Sequence, residues 1–557
     1  MSDNRFTTHD VFNQPSPLAP YDAYTTDRAL REALAREGGG FAAEHVAAFG
    51  TIAGGELMAL GFAANENKPR FRPFDPYGHR IDEVEFHPAY HRIMEIAIAH
   101  GVPGFAWRHA DTAGAHVARA ALVYLSAQAE QGHQCPLTMT YASIPALRHN
   151  AALAEAWIPR ALSTSYDPRF IPAREKRGAT LGMGMTEKQG GSDVRANTTR
   201  ATAIGHDGLA ELVGHKWFFS APMCDAFLVL AQESEGLSCF LLERFLPDGT
   251  RNAIRIQRLK DKLGDWSNAS SEVELQGALA TRVGAPGRGV ANILEMVALT
   301  RLDCAIGSAA IMRQALVQAL HHARQRRAFG KLLIEQPLMQ NVLADLALES
   351  EAALSLALRV ARAVDGAQRA AMSGGQPSEA ERRESAFARI TTAIAKYWIC
   401  KRCPPFVNEA QECLGGAGYV EESLLPRLYR QAPLNSIWEG SGNIQCLDVL
   451  RALQRDPSAR EALLAEIAAA RGGHAVLDAS LLQLERELID PVQLELRSRH
   501  LVERLALTLQ ASLLVRSAPS AIADAFCSSR LAGAHGLAFG TLAPGVHMQS
   551  ILQRAFE

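Results

Sequence analysis

No stretch of this chain approaches the roughly 18 uninterrupted apolar residues of a membrane-spanning helix, so a span is not expected. Neither charge sign is in excess. The formal net charge is -2 over 557 residues, so nothing global marks a binder of nucleic acid or anionic membrane, and any basic surface has to be local. Among the basic residues Lys is scarce and Arg common. The nine cysteines are odd in number and scattered, which argues against a disulfide framework and for a reducing compartment. The opening Met1-Ser2-Asp3-Asn4-Arg5-Phe6 has no signal-peptide apolar run, so a cytoplasmic protein is expected. Gly-x-Gly-x-x-Gly fingerprints and Walker loops are missing, and a nicotinamide Rossmann domain or P-loop ATPase is unsupported. A Ser-His-Asp order, a nucleophile elbow, internal repeats and low-complexity tracts are missing too.

What is present is a globular composition, 48% hydrophobic and 21% charged, in a chain too long for one core. Residues up to about Asp82 read as irregular, with short helical stretches such as Asp27 to Arg36. Pro88 to about Asp167 carries the helical period. Between Gly178 and Gly284 the period shortens. Phe227-Leu228-Val229-Leu230-Ala231, Ser238-Cys239-Phe240-Leu241-Leu242 and Ala253-Ile254-Arg255-Ile256 predict strands, and Pro247-Asp248-Gly249 a turn. The helical period returns at Ala291, breaks at Ser373-Gly374-Gly375-Gln376-Pro377-Ser378, and resumes from Glu379 to Cys403 and beyond. The expected fold class is mainly α with a middle β domain, divided as 1–177, 178–285, 286–450 and a helical extension 451–557.

Five segments carry chemistry-bearing residues. Gly184-Met185-Thr186-Glu187-Lys188-Gln189-Gly190-Gly191-Ser192-Asp193 combines hydroxyls with adjacent glycines that let a ring or phosphate come close to backbone; taken alone, such a segment is usually only a turn. Gly214-His215-Lys216-Trp217-Phe218-Phe219-Ser220 suits an aromatic wall beside a flat ring; by itself it reads first as an aromatic core strand. Arg324-Gln325-Arg326-Arg327-Ala328-Phe329-Gly330 puts guanidinium groups at a helix end, fit for a pyrophosphate or for capping. Gln411-Glu412-Cys413-Leu414-Gly415-Gly416-Ala417-Gly418-Tyr419 is a second glycine-dense turn. Asn435-Ser436-Ile437-Trp438-Glu439-Gly440-Ser441-Gly442-Asn443 places one carboxylate in a tight loop ahead of a helix-like run to Leu453.

In this order the blocks resemble the acyl-CoA dehydrogenase superfamily over about Pro88 to Leu453. With Val11-Phe12-Asn13-Gln14-Pro15 and the extra C-terminal hundred residues, they resemble its AidB branch, tied to the bacterial response to DNA alkylation. The resemblance implies a helical domain, a β-barrel or sandwich and a helical bundle, with FAD as cofactor. It implies that Glu439 is the base that takes the proton α to an acyl-CoA thioester carbonyl. It assigns Met185, Thr186, Gln189, Gly190, Gly191, Ser192, Phe218, Phe219, Ser220, Gly415, Gly416, Ile437, Trp438, Gly440, Ser441 and Asn443 to the flavin site. Arg326 and Phe329 would reach the FAD of a neighbouring subunit, which implies a homo-oligomer, expected as a tetramer. Lys188, Ala328, Glu412 and Asn443 depart from residues common in the family at those places.

For the extension, the resemblance implies binding of double-stranded DNA, with Arg486, Arg497, Arg499, Arg504 and Arg516 as phosphate contacts. Asp490-Pro491 predicts a helix start that puts Arg497, His500 and Arg504 on one face. Eleven Arg are matched there by eleven Asp plus Glu, so a DNA face requires charge segregation; a solvated bundle fits equally. Two further readings stand beside the AidB-like one: a metabolic dehydrogenase of short or branched acyl-CoA, and a DNA-binding protein with a structural flavin. No metal is expected. Cys400-x-x-Cys403 lacks a second pair, and His87 and His91 have only Glu85 near them.

Overall fold

The computed structural model describes residues 6–205, 207–372 and 374–557; Met1–Arg5 and Ser373, two parts of the expectations above, lie outside the described residues. The N-terminal part is more regular than its composition suggests. Helices α1 (Arg28–Arg36), α2 (Ala43–Ala53) and α3 (Glu56–Glu66) precede a hairpin of β1 (Arg70–Phe74) and β2 (Arg80–Glu85). The short strands escaped notice because Pro73 and a run of charged residues mask their alternation. Then come α4 (Pro88–Ala99), α5 (Phe105–Arg108), α6 (Ala115–Ala129), α7 (Gln134–Leu147) and α8 (Ala151–Ala161). Every residue of α6 is buried, so it is the axis of this part.

Seven strands follow: β3 (Leu181–Gly184), β4 (Arg200–Ala203), β5 (Leu209–Ser220), β6 (Ala226–Glu233), β7 (Gly236–Glu243), β8 (Ile254–Leu259) and β9 (Ser270–Val283). β6 pairs with β7, β7 with β9, β9 with β5 and β5 with β4, and a bridge from Arg200 to Gln232 returns β4 to β6. The sheet thus closes on itself, leaving β3 and β8 as flanks on β6 and β9. Closure removes free edges, and β6 can be apolar on both faces.

The second helical part is built from α9 (Gly289–Gln325), α10 (Pro337–Met372) and α11 (Glu379–Glu412), three long antiparallel neighbours. A small hairpin of β10 (Arg327–Ala328) and β11 (Lys331–Leu332) joins α9 to α10. α11 runs through Pro404 and Pro405 instead of ending at Cys403. Two missing N–H groups free the carbonyls of Cys400 and Lys401, and packing against α9 and α10 carries the helix past them. Next are α12 (Leu425–Gln431) and α13 (Gly442–Arg455). The extension continues as α14 (Pro457–Ala468), α15 (Ala475–Ile489), α16 (Ser498–Ser517), α17 (Ser520–Phe526) and α18 (Met548–Phe556). It does not form a detached lobe. α16 lies on α10 and α11, and α18 on α10. α16 begins at Ser498 with Arg497 as its N-cap, so the helix expected from Pro491 is a turn and Arg497 is not on its face.

Candidate active site

The carboxylate of Glu439 sits on a loop that the rest of the protein holds by its carbonyls. Glu439 itself takes a left-handed backbone, φ 57°, which costs an ordinary residue about 1–2 kcal/mol. Hydrogen bonds offset that cost. Lys396 Nζ, on α11, donates to the carbonyls of Trp438 (2.7 Å) and Gly440. Arg301 Nε, on α9, donates to the Glu439 carbonyl at 3.0 Å. Gln445 Nε2 donates to the Glu439 and Gly440 carbonyls at 3.0 and 2.9 Å. Trp438 Nε1 donates to Asn435 Oδ1, and Arg301 is held in turn by Asp448 on α13. The side chain of Glu439 is half-buried, and Oε2 accepts from Thr300 Oγ1 at 2.7 Å. Burial pushes its pKa above the ordinary carboxylate value, against the pull of the Thr300 hydroxyl, Lys396 and Arg301. A carboxylate raised in this way is fit to take a proton from carbon.

Thr300, Arg301, Lys396 and Gln445 escaped the sequence reading. The available signal was a charged or hydroxyl residue inside an apolar helical run, as in Leu299-Thr300-Arg301-Leu302 and Ala395-Lys396-Tyr397.

The loop after β3 is organised by Glu187, also not foreseen. Its buried carboxylate accepts from the backbone N–H groups of Thr198 (2.7 Å) and Thr199 (3.1 Å), both threonine hydroxyls, and Lys216 Nζ at 2.8 Å. Burial would raise its pKa, but Lys216 and the hydrogen bonds outweigh that and hold it well below the usual range. Gln189, expected at the flavin, spends its amide N–H groups on Glu187 and the Ala196 carbonyl instead. Its role is to shape the loop. Thr186 is tied to the aromatic strand, since Trp217 N donates to its carbonyl at 2.8 Å. Met185 is half-buried against the core, while Gly190, Gly191 and Ser192 are exposed.

A bulge in β5 settles which aromatics face outward. Lys216 pairs with Val273 and Phe219 with Ser271, so Trp217 and Phe218 share the single position opposite Glu272. Lys216 and Phe219 both point inward. Phe219 is 0% exposed and packs on Phe227 and Gly184. It is a core residue and not part of an aromatic wall. Phe218, 52% exposed, is the wall candidate, with Lys260 Nζ 4.6 Å from its ring centre. Ser220 is half-buried, its hydroxyl 3.2 Å from that of Ser270.

Gly415 and Gly416 form an exposed 3-10 turn with no atom within 4 Å of where a side chain would begin, and the same holds at Gly190. Ile437 is exposed; Gly440, Ser441 and Asn443 run into the start of α13. Lys188 is on the rim, 5.5 Å from the Trp217 ring centre, and Glu412 is exposed. Arg326 caps α9 and donates to the Asn13 carbonyl, while Phe329 is 98% exposed on the tip of the β10–β11 hairpin. Open backbone at paired glycines, free hydroxyls at Thr186 and Ser192 and an exposed ring at Phe218 fit a flat, phosphate-bearing group such as FAD.

The match of the chain to family models covers most of this architecture. Residues 13–168 match the adaptive response protein AidB N-terminal domain. Residues 182–278 match the acyl-CoA dehydrogenase middle domain, and 287–454 the acyl-CoA dehydrogenase C-terminal domain. The AidB acyl-CoA dehydrogenase homologue of Escherichia coli K12 is 47% identical over 94% of each chain. The chain belongs to the acyl-CoA dehydrogenase family. Acyl-CoA dehydrogenase family member 11 of Caenorhabditis elegans is 32% identical over 79% of this chain and 72% of its own. The crystal structure of C. elegans ACDH-11 in complex with C11-CoA superposes with a TM-score of 0.82 at 27% identity, covering 99% of this chain and 93% of that one. Membership makes the chain a flavin oxidoreductase with FAD as its cofactor.

The extension's arginines are largely engaged within the fold. Arg497 donates to the carbonyls of Glu487, Val492 and Asp490, Arg504 pairs with Glu487, and Arg516 pairs with Glu466. Arg499 reaches back toward the base loop, donating to Tyr397 Oη and Asn443 Oδ1 at 3.3 Å each. Arg486 is exposed. Charge is therefore paired rather than segregated at Arg497, Arg504 and Arg516, which corrects their assignment as phosphate contacts. Among the described residues, no group of three or more His, Cys, Asp or Glu is arranged to hold a metal ion. His87 caps α4 and His91 bonds Tyr166. Among the described residues, no single helix is long and apolar enough to cross a membrane.

One substitution tests the glycine pair. A side-chain carbon at Gly191 would lie 2.4 Å from Thr186 Oγ1. Gly191→Ala is expected to displace Thr186 and weaken FAD retention about tenfold, equivalent to losing one good hydrogen bond. Flavin fluorescence during dilution measures it.

Proposed function

We propose that this protein oxidises an acyl-CoA thioester at its α and β carbons, with Glu439 as the base, in the setting of the AidB-type response to DNA alkylation. The observation that supports it is the half-buried, raised carboxylate of Glu439 on a loop fixed by Lys396, Arg301 and Gln445. The α proton goes to Glu439, and the electron pair it leaves forms the α,β double bond as the β hydride departs. Bound FAD supplies the two-electron acceptor for that hydride. Thr186, Gly190, Gly191, Ser192, Phe218, Ser220, Gly415, Gly416, Ser441 and Asn443 would hold FAD. Phe329, exposed on its hairpin, would reach a neighbouring copy in a homotetramer. The division 1–177, 178–285, 286–450 and 451–557 and a cytoplasmic location belong to the same reading. The substrate class is a short or branched acyl group of the isovaleryl type. Anaerobic mixing with isovaleryl-CoA is expected to bleach the flavin absorbance. A flavin that stays oxidised with every acyl-CoA tried points to a structural cofactor.

A second activity, binding of double-stranded DNA, is supported by the exposure of Arg486 and Arg499 on the extension. Replacing both with Ala is expected to weaken a duplex gel shift and lower its salt slope by about two. Arg497→Ala with Arg504→Ala is expected to lower stability instead, since both arginines hold the α15–α16 junction. An unchanged shift with the first pair removes these contacts from the reading.

A further inference from the structure

The hydroxyl of Thr300 has two acceptors within reach and one proton to give. It lies 2.7 Å from Glu439 Oε2 and 3.0 Å from the Val297 carbonyl, one turn back on α9. Thr300 is buried, so its hydroxyl is turned to these two acceptors and away from solvent. With Glu439 ionised, the hydroxyl has to donate to the carboxylate, which has no proton of its own. With Glu439 protonated, the carboxylic O–H donates to Thr300 Oγ1, and the threonine proton turns to Val297. A threonine on a helix makes that backward bond without leaving its rotamer. Both charge states of Glu439 are thereby hydrogen-bonded, and the exchange needs only the turning of the carboxylic and the threonine O–H bonds.

We propose that Thr300 is a positioning residue that serves Glu439 in both its charged and its neutral state by reversing one hydrogen bond, so that the base accepts a proton without rearrangement of its loop. This rests on the reading of Glu439 as the base. The groups facing the carboxylate from neighbouring elements support it. Arg301 and Cys304 come from α9 and Lys396 from α11; behind them, Cys400 of α11 donates to the Cys304 carbonyl and Asp448 of α13 pairs with Arg301. Lys396 and Arg301 point their donors at loop carbonyls, and Asp448 is occupied by Arg301 and Arg389. The thiols of Cys304 and Cys400 are pushed upward by burial and stay neutral. Thr300 is thus the hydroxyl that touches the carboxylate itself.

The test uses FAD-loaded protein with Thr300→Val, which keeps the shape and removes the hydroxyl, and Thr300→Ser, which keeps the hydroxyl. In Thr300→Val the ionised carboxylate loses its donor, so the pH at which the bleaching rate rises is expected to move alkaline by about one unit. Thr300→Ser is expected to restore the wild-type profile. A second readout needs no turnover. The Tm difference between each protein and its Glu439→Gln partner is followed against pH. It grows as pH rises above the unfolded carboxylate pKa and levels off above the folded one. That levelling point is expected to be about one unit higher in the Thr300→Val background. An unmoved profile and an unmoved levelling point overturn the proposal. A shifted levelling point in protein that no acyl-CoA bleaches keeps it and sinks the dehydrogenase reading instead.

Discussion

Glu439→Gln is expected to slow flavin bleaching by an acyl-CoA by about 10³- to 10⁴-fold, the upper range for losing a positioned general base. The amide keeps the size of the side chain, and the loop is held through carbonyls that the substitution does not touch. FAD content and acyl-CoA affinity should therefore stay near wild type, so the loss falls on the rate of the step. Stability moves the other way. The fold raises the pKa of Glu439, so it favours the protonated side chain. What the residue contributes is fully present below the unfolded carboxylate pKa and is lost as pH rises through the folded value. Glu439→Gln is thus expected to match wild type in acid and to melt higher at neutral pH. A rate reduced less than tenfold would remove Glu439 from the chemistry.

Arg530→Leu is expected to destabilise the protein by about 3–5 kcal/mol, the usual result of stripping one partner from a buried charge cluster. Arg530 lies in a π-helical turn, Cys527–Leu531, between α17 and the loop to α18. Its Nη2 donates to Asp345 at 2.5 Å and Glu349 at 3.0 Å on α10, both of them buried. Arg402 of α11 shares Glu349, and Gly540 N donates to Asp345 at 2.8 Å. Burial alone would raise Glu349, but the Arg402 and Arg530 guanidinium groups hold it down at about 2. This contribution is complete above the ordinary carboxylate range and fades as pH falls toward about 2. Without Arg530, Asp345 keeps only a backbone donor, and the extension loses one of its anchors to the bundle. Thermal unfolding followed by circular dichroism measures the effect. A melting point within a degree or two of wild type would show that the extension is held elsewhere.

The order of helices, strands and helices was legible because apolar residues change period at Gly178 and again near Ala291, and burial follows period. The glycine-rich loop and the Glu439 loop were legible as composition. The roles given to them came from the family resemblance, and it is the resemblance itself that the match to acyl-CoA dehydrogenase and AidB models bears out. What sequence hid was partnership at a distance. Thr300 and Glu439 are 139 residues apart, and Lys396 is 42 from the carbonyl it holds at Trp438. Phe219 reads like Phe218 until a bulge turns one inward. Arg504 and Arg516 read as free charge because Glu487 and Glu466 lie on other helices.

The strapped carbonyls bear on how the Glu439 loop would persist through descent. Lys396 is buried and Arg301 nearly so, and each spends donors on the backbone of Trp438, Glu439 or Gly440. A lineage that abandoned turnover and let this loop drift would strand those donors in the interior. Selection for a folded protein alone therefore preserves the loop's path. The side chain of Glu439 is the part that only chemistry protects. In a set of descendants, a kept loop with an exchanged carboxylate would mark the branches where catalysis has been given up.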